Sequence, residues 1–243
     1  MKKHIPNILT LCNALCGCIG ISLIAQGNIN MACWLVFIAL IFDYLDGFVA
    51  RLLHVKSEIG KQLDSLADAI TFGVLPAFIA QSLWLISSPV TTFHTYLSYF
   101  PFLLALFSIL RLAKFNIDTR QTDSFIGVPT PANAMLWASF PLLLSKHSYR
   151  YDFGFGPWII LDLLANRWFL GSLILLMCYL LVAELPLFAL KFKDFSWKNN
   201  QFKYIFLILS IALIAIFQFG AVPAIIAMYI ISSIVLNLKS TKS

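Results

Sequence analysis

Four aspartates and their spacing are the residues of this 243-residue chain best suited to chemistry. One segment reads Asp43-Tyr44-Leu45-Asp46-Gly47-Phe48-Val49-Ala50-Arg51; eight residues later it continues Gly60-Lys61-Gln62-Leu63-Asp64-Ser65-Leu66-Ala67-Asp68. Asp43 and Asp46 are three apart, and Asp64 and Asp68 four apart, so on helices each pair shares one face. The short loop 54–59 makes the two helices antiparallel neighbours. At about 1.5 Å rise per residue, all four carboxylates lie roughly 6–15 Å in from the helix ends near Leu53 and Gly60. Four like charges at one depth need opposite charge brought to them. An all-oxygen aspartate set suits a hard divalent cation, Mg²⁺ or Mn²⁺, and two such ions fit four carboxylates.

The small and basic residues among the acids extend the argument. Gly47 is four after Asp43, Ala50 four after Asp46, and Gly60 four before Asp64, which leaves room on the acidic faces for a ligand to approach the backbone. Arg51 can offer a planar donor fork to a phosphate. Carboxylates, metal and phosphate together are the parts of phosphoryl transfer, in which two ions bind the attacking and leaving oxygens. Asp68, the deeper carboxylate of its helix, can reach an incoming hydroxyl. A single aspartate here could cap a helix or pair with Arg51 or Lys61; four on two matched faces, at the cost of intramembrane charge, point to a site.

The elements that hold these residues are read from hydropathy. The chain is 60% hydrophobic and only 12% charged, with mean hydropathy +0.86, whereas soluble domains carry about 25% charged residues. This excludes a disordered protein, a coiled coil and a cytosolic enzyme. Eight apolar runs approach the length needed to cross a bilayer: roughly 8–26, 30–53, 60–85, 95–115, 131–146, 168–190, 203–219 and 221–238. The last two meet at Gly220 and Pro223 and read as a tight hairpin. The expected fold is therefore all-α, a polytopic membrane helix bundle forming a single domain over 1–243. Its catalytic core is 6–190, with six helices, and an additional C-terminal hairpin spans 203–238.

Basic residues give the orientation. Fourteen of the 17 lysines and arginines fall at 1–3, 51–61, 111–120, 191–203 and 239–242, on one side if the amino terminus is inside. Only Lys146, Arg150 and Arg167, around the loop 147–167, fall on the other. Both termini and the acidic site are thus expected to face the cytoplasm from the cell membrane. Lys2, Lys3 and Leu15-Cys16-Gly17-Cys18 faintly resemble a lipoprotein signal, but the apolar core is broken by Asn7, Thr10 and Asn13. A permanent first helix is expected there. The five cysteines sit in apolar segments without metal-ligand spacing, and the four histidines are scattered. Nothing in the sequence points to a nucleic-acid partner.

The acidic segment resembles the signature of the CDP-alcohol phosphatidyltransferase family, D-x2-D-G-x2-A-R-x8-G-x3-D-x3-D. Asp43, Asp46, Gly47, Ala50, Arg51, Gly60, Asp64 and Asp68 match its fixed positions without a gap. Three further stretches resemble the membrane-embedded phosphatidylserine synthase branch: Pro6-Asn7-Ile8-Leu9-Thr10-Leu11-Cys12-Asn13, Arg111-Leu112-Ala113-Lys114-Phe115-Asn116 and Phe125-Ile126-Gly127-Val128-Pro129-Thr130-Pro131. The second usually has arginine where Lys114 stands, and the third leucine where Val128 stands. The resemblance implies that Asp43, Asp46 and Asp64 bind the metals and that Asp68 is both ligand and general base. It also implies that Gly47, Ala50 and Arg51 line the CDP and diphosphate site and that Asn13 approaches the cytidine end. The implied reaction is CDP-diacylglycerol plus L-serine giving phosphatidylserine and CMP, in a homodimer among membrane lipids.

Arg111, Lys114 and Asn116 lie on the same side as the acids and can meet serine's carboxylate or the lipid phosphate; equally, Arg111 and Lys114 can anchor a helix end at anionic headgroups. Phe125 to Pro131 reads as a proline-stiffened loop over the site, and Glu184, before Pro186, as a lone intramembrane acid. Two other functions remain open. A sister enzyme would use glycerol 3-phosphate or an inositol phosphate as acceptor, for which few extra basic residues exist. A cation transporter would use the aspartates as its ion site, but no second D-x2-D element follows residue 68 to form an inverted repeat.

Overall fold

A computed structural model of the chain describes residues 4–55, 57–87, 96–118, 124–147, 158–188 and 196–240. Lys2, Lys3, Lys56, Arg120, Arg150, Lys191, Lys193, Lys242 and the 148–157 part of the fifth loop lie outside them.

The first helix, α1 (Ile5–Ala25), opens with Pro6 in its first turn, where a missing N–H costs nothing. It packs along α2 (Ile29–Leu52). The buried face of α2 runs Ala32, Cys33, Val36 and Ala39, then reaches Asp46, so an apolar stripe becomes acidic towards the Leu52 end. Ser57 caps α3 (Glu58–Asp68), its hydroxyl accepting from Gly60 N at 2.9 Å. The helix then widens into a π-helical turn, Ala69–Val74, before α4 (Leu75–Ile86). Pro76 lies in the first turn of α4. Its ring lacks a donor and crowds the carbonyl one turn back, which accounts for the local change of winding.

Gly17 and Gly20 of α1 let it approach this stretch closely. A Cβ on Gly17 would lie 2.6 Å from Thr71 Oγ1, and one on Gly20 2.7 Å from Leu75 Cδ2. Small residues at such crossings allow helices to meet where lipid provides no hydrophobic drive.

A short 3₁₀ turn, Phe100–Phe102, leads into α5 (Leu103–Ile117). Strand β1 (Ser124–Ile126) precedes α6 (Thr130–His147), which carries Pro141 inside it. Helix α7 (Trp158–Ala165) lies within the expected fifth loop. Asn166 then caps α8 (Arg167–Val182), accepting from the Trp168 and Phe169 amides.

The expected sixth span, 168–190, is shorter in the structure. α8 stops at Val182, Ala183 is extended (φ −63°, ψ 141°), and Pro186–Phe188 form strand β2. Pro186 disfavours helix in the residue before it, and β2 pairs antiparallel with β1: Ser124 opposite Phe188, Phe125 opposite Leu187, Ile126 opposite Pro186. Glu184 therefore lies beyond the helix end and is exposed, not an acid buried in a span.

The C-terminal pair, α9 (Trp197–Phe217) and α10 (Ala221–Ser240), fold back on each other through Gln218–Gly220, with the left-handed backbone at Gln218 (φ 53°). Phe219 of this turn packs on Trp34 and Phe37 of α2, with ring centroids 5.2 and 5.7 Å apart. The turn is thus at the end of the bundle opposite the aspartates.

Five stretches among the described residues are long and apolar enough to cross a membrane: Ile5–Ala25, Ile29–Leu52, Glu58–Ile86, Phe100–Ile117 and the 38-residue Asn200–Asn237; α8 is a shorter apolar helix. The fold is that of a helical membrane protein. Its core gathers Phe72, Leu75, Ile79, Leu104, Trp137 and Ile174, all without exposed surface, around α4, α5, α6 and α8.

Candidate active site

Asp43 of α2 and Asp64 and Asp68 of α3 each present a carboxylate oxygen within 4.8 Å of the other two, and all three are half-buried. Oxygens on opposite sides of one Mg²⁺, each at about 2.1 Å, stand about 4.2 Å apart. The three carboxylates are therefore close to the spacing of a shared divalent ion. Among the described residues, the charged groups acting on Asp43 and Asp64 are other aspartates of the quartet. A hard, doubly charged ion fits this donor set both in chemistry and in the charge it would offset.

Asp46 adjoins the trio and is engaged differently. It is buried, 7% exposed, and accepts a 2.6 Å hydrogen bond from Thr10 Oγ1 of α1. Its carboxylate still acts on those of Asp43, Asp64 and Asp68. α1 also supplies Asn13, fully buried, whose Nδ2 donates to Asp68 Oδ1 at 3.2 Å. Thr71, in the π-helical turn just after Asp68, donates through Oγ1 to the Asn13 carbonyl at 3.0 Å. The close approach at Gly17 is what brings this turn against α1.

The remaining signature residues fall around this centre. Gly47 opens towards the exposed Arg51: a Cβ built on it would sit 3.5 Å from Arg51 Nη1. Ala50 is half-buried beside them on α2. Gly60 differs from the expected open ligand face. A Cβ there would meet Ser57 Oγ at 2.8 Å and Asn7 Oδ1 at 3.2 Å, so its missing side chain makes room for the helix cap and for α1.

The three α5 residues are placed differently. Arg111 is buried, 7% exposed, with Nε lacking a hydrogen-bond partner; its guanidinium lies 5.6 Å from the Phe115 ring centroid. The acid acting on it electrostatically is Asp68. Lys114 is exposed. Asn116 ties α5 to α3: its Nδ2 donates to Ser65 Oγ at 2.8 Å and its carbonyl accepts from Lys61 Nζ at 3.2 Å.

Sequence reasoning singled out Asn13 and Arg111 but passed over the polar residues buried with them and on α6. Thr10/Asn13, Ser108/Arg111 and Thr130/Asn133 are each three apart on α1, α5 and α6, and every one is at most 7% exposed. Asn13 Oδ1, Ser108 Oγ, Arg111 Nε, Thr130 Oγ1 and Asn133 Nδ2 are buried without a partner. Such groups are costly unless something polar meets them. Both α5 and α6 pack on the π-helical turn that follows Asp68. The signal was present: polar pairs at i, i+3 inside apolar spans repeat the spacing of Asp43 and Asp46.

The arrangement can hold divalent cations at one rim, orient one carboxylate by an amide, and offer a buried guanidinium nearby. A family model for CDP-alcohol phosphatidyltransferases matches residues 3–182. Over 240 residues the chain is 32% identical to a CDP-diacylglycerol–serine O-phosphatidyltransferase of Helicobacter pylori, covering 95% of this chain and 89% of that one. It is 36% identical over 133 residues to the Bacillus subtilis protein of the same name, covering 55% of this chain and 72% of the relative. It is 39% identical over 141 residues to an archaetidylserine synthase of Methanothermobacter thermautotrophicus, covering 57% and 58%. The matched region includes all four aspartates and Arg111, and the chain belongs to the CDP-alcohol phosphatidyltransferase family.

Proposed function

We propose that this enzyme transfers the phosphatidyl group of CDP-diacylglycerol to L-serine, releasing CMP, from a site open to the cytoplasm in the cell membrane. The observation that carries the reading is the Asp43–Asp64–Asp68 cluster, together with the buried Arg111, its Nε unpartnered, on the helix that packs against the turn following Asp68. A diphosphate substrate calls for the first, and an acceptor with its own carboxylate calls for the second. The names of the relatives, two serine phosphatidyltransferases and an archaetidylserine synthase, support serine as the acceptor.

Asp43, Asp46, Asp64 and Asp68 would hold two Mg²⁺ or Mn²⁺ ions, which supply charge neutralisation at the diphosphate. Thr10 holds Asp46, and Asn13 holds one oxygen of Asp68, leaving the other for chemistry. Asp68 takes the proton of the serine hydroxyl. The serine oxygen then bonds to the lipid-side phosphorus, the bond from that phosphorus to the bridging oxygen breaks, and its electron pair leaves with CMP. Arg51, beside Gly47 and Ala50 on α2, donates to the diphosphate. Asn13 Oδ1, buried and unpartnered, suits the cytosine amino group. Arg111 receives serine's carboxylate in a bidentate fork. Lys114 meets anionic headgroups, and Asn116 braces α5 against α3.

The same reading carries eight spans with both termini cytoplasmic, a six-helix catalytic core over 6–190, the hairpin 203–238 appended to it, and a homodimer. The deciding experiment is CMP release from CDP-diacylglycerol by the purified chain with Mg²⁺ or Mn²⁺, comparing serine with glycerol 3-phosphate and an inositol phosphate. Release with serine alone is expected. Release with another acceptor would replace serine, and no release with any would overturn the enzyme reading in favour of ion transport.

A further inference from the structure

The ribbon formed by β1 and β2 has one edge that β1 does not fill, and α10 fills it with side chains. Tyr229, Ser233 and Asn237 lie four residues apart on one stripe of α10. Tyr229 OH donates to Phe188 O at 2.9 Å, Ser233 Oγ accepts from Phe188 N at 3.4 Å, and Asn237 Nδ2 donates to Pro186 O. In an antiparallel strand alternate residues direct their backbone groups to opposite edges. Pro186 and Phe188 therefore serve α10, while Leu187 between them turns to Phe125. The helix takes the place of a third strand. Phe188 is further enclosed by Phe202, Phe206 and Tyr229, with ring centroids 5.2, 5.4 and 4.8 Å away.

What β2 holds leads back to the site. Beyond β1, Gly127 takes a left-handed backbone (φ 73°), and its amide donates to Leu185 O at 3.0 Å; a Cβ there would lie 2.6 Å from Leu181 O. Val128 N donates to Leu180 O at 2.9 Å. Two residues later Thr130 opens α6, and Thr130 and Asn133 carry two of the buried, unpartnered polar atoms.

We propose that α10 is a clamp for the acceptor side of the active site, with Tyr229, Ser233 and Asn237 as positioning residues. They fix β2, which through β1 and Gly127 fixes the start of α6, where Thr130 and Asn133 carry their buried polar atoms. The clamp serves the hydroxy-acid acceptor and leaves CDP-diacylglycerol untouched. This rests on the transferase reading above.

The test uses the full chain in detergent with CDP-diacylglycerol and Mn²⁺. Tyr229→Phe keeps the ring and removes the hydroxyl; Asn237→Ala is an independent second variant. Each should raise the KM for serine roughly three- to tenfold, the range of one lost hydrogen bond, with kcat and the KM for CDP-diacylglycerol within twofold of the parent. Ile231→Ala, on the exposed face of α10, should leave both KM values unchanged. An unchanged serine KM in both clamp variants, or an equal rise in both KM values, overturns the clamp. Hydrogen exchange gives a readout that needs no turnover: amides of 124–133 should exchange faster in Tyr229→Phe, with α1 and α2 unaffected. Absence of that change overturns the clamp whatever the reaction. Absence of CMP release by the parent overturns only the transferase reading.

Discussion

The side-chain amide of Asn13 donates to Asp68 Oδ1 across 3.2 Å, joining α1 to the deepest carboxylate of α3 over 55 residues of sequence. Hydrogen bonds to charged groups contribute about 1.5–3 kcal/mol. Asn13→Leu should therefore lower kcat by roughly ten- to a hundredfold, measured as CMP release at saturating serine. A kcat within twofold of the parent would remove Asn13 from the machinery.

Asp68→Asn keeps the shape of the side chain and removes the proton acceptor. Turnover should fall below detection, while the affinity for CDP-diacylglycerol, measured by equilibrium binding, stays within a few-fold of the parent. Loss of binding would make Asp68 mainly a metal ligand.

Thr10→Val deletes the 2.6 Å donor to Asp46 and keeps the volume. Groups that orient metal ligands typically contribute 10–100-fold in metal affinity. The Mn²⁺ dissociation constant, read by calorimetry, should rise by about tenfold, and Thr10→Ser should restore it. Equal loss in both variants would mean the methyl group matters, not the hydroxyl.

Relief of like charge should also show in stability. With divalent ions chelated, Asp64→Asn removes one of the crowded carboxylates and should raise Tm by several degrees, at about 2–4 °C per kcal/mol for a chain of this size. With metal present the order should reverse. A lower Tm under chelation would mean that the carboxylates stabilise the fold by contacts of their own.

Arg111 and Lys114 are separated by burial, and their variants should separate too. Arg111→Lys loses the planar fork and should cut kcat/KM for serine by at least tenfold. The exposed Lys114 should tolerate alanine within about twofold. Equal effects from the two would assign both to membrane anchoring.

Much of the site was legible because its chemistry rides on helix periodicity. Asp43, Asp46, Asp64 and Asp68 announce a shared face by spacing alone, and charge inside apolar runs is too costly to be incidental. The path of α1, α2 and the C-terminal hairpin was equally readable, since hydropathy reports what lipid demands. Hydropathy could not report the end of α8 at Val182. Leu185, Leu187 and Phe188 are apolar whether they continue a helix or pair with β1, and only the partner strand, some 60 residues earlier, decides. Thr10, Thr130 and Asn133 were missed for a related reason. Uncharged polar residues are cheap in a hydropathy sum, so their burial becomes visible only when the helices meet.

The π-helical turn Ala69–Val74 has one more consequence. Such a turn takes in an extra residue, so it offsets by about 100° the angular phase of everything before it relative to everything after. The carboxylates of Asp64 and Asp68 and the core side chains of Leu75 and Ile79 sit on either side of that offset. Deleting a single residue within the turn would restore regular winding and leave the composition of the span almost unchanged. That deletion leaves both faces in phase, because the extra residue and the wider turn cancel; winding all the residues as regular α-helix would instead swing the carboxylates more than a quarter-turn away from Asp43. One turn of irregular backbone thus acts as the vernier by which the carboxylate and packing faces of a single helical rod are indexed to each other.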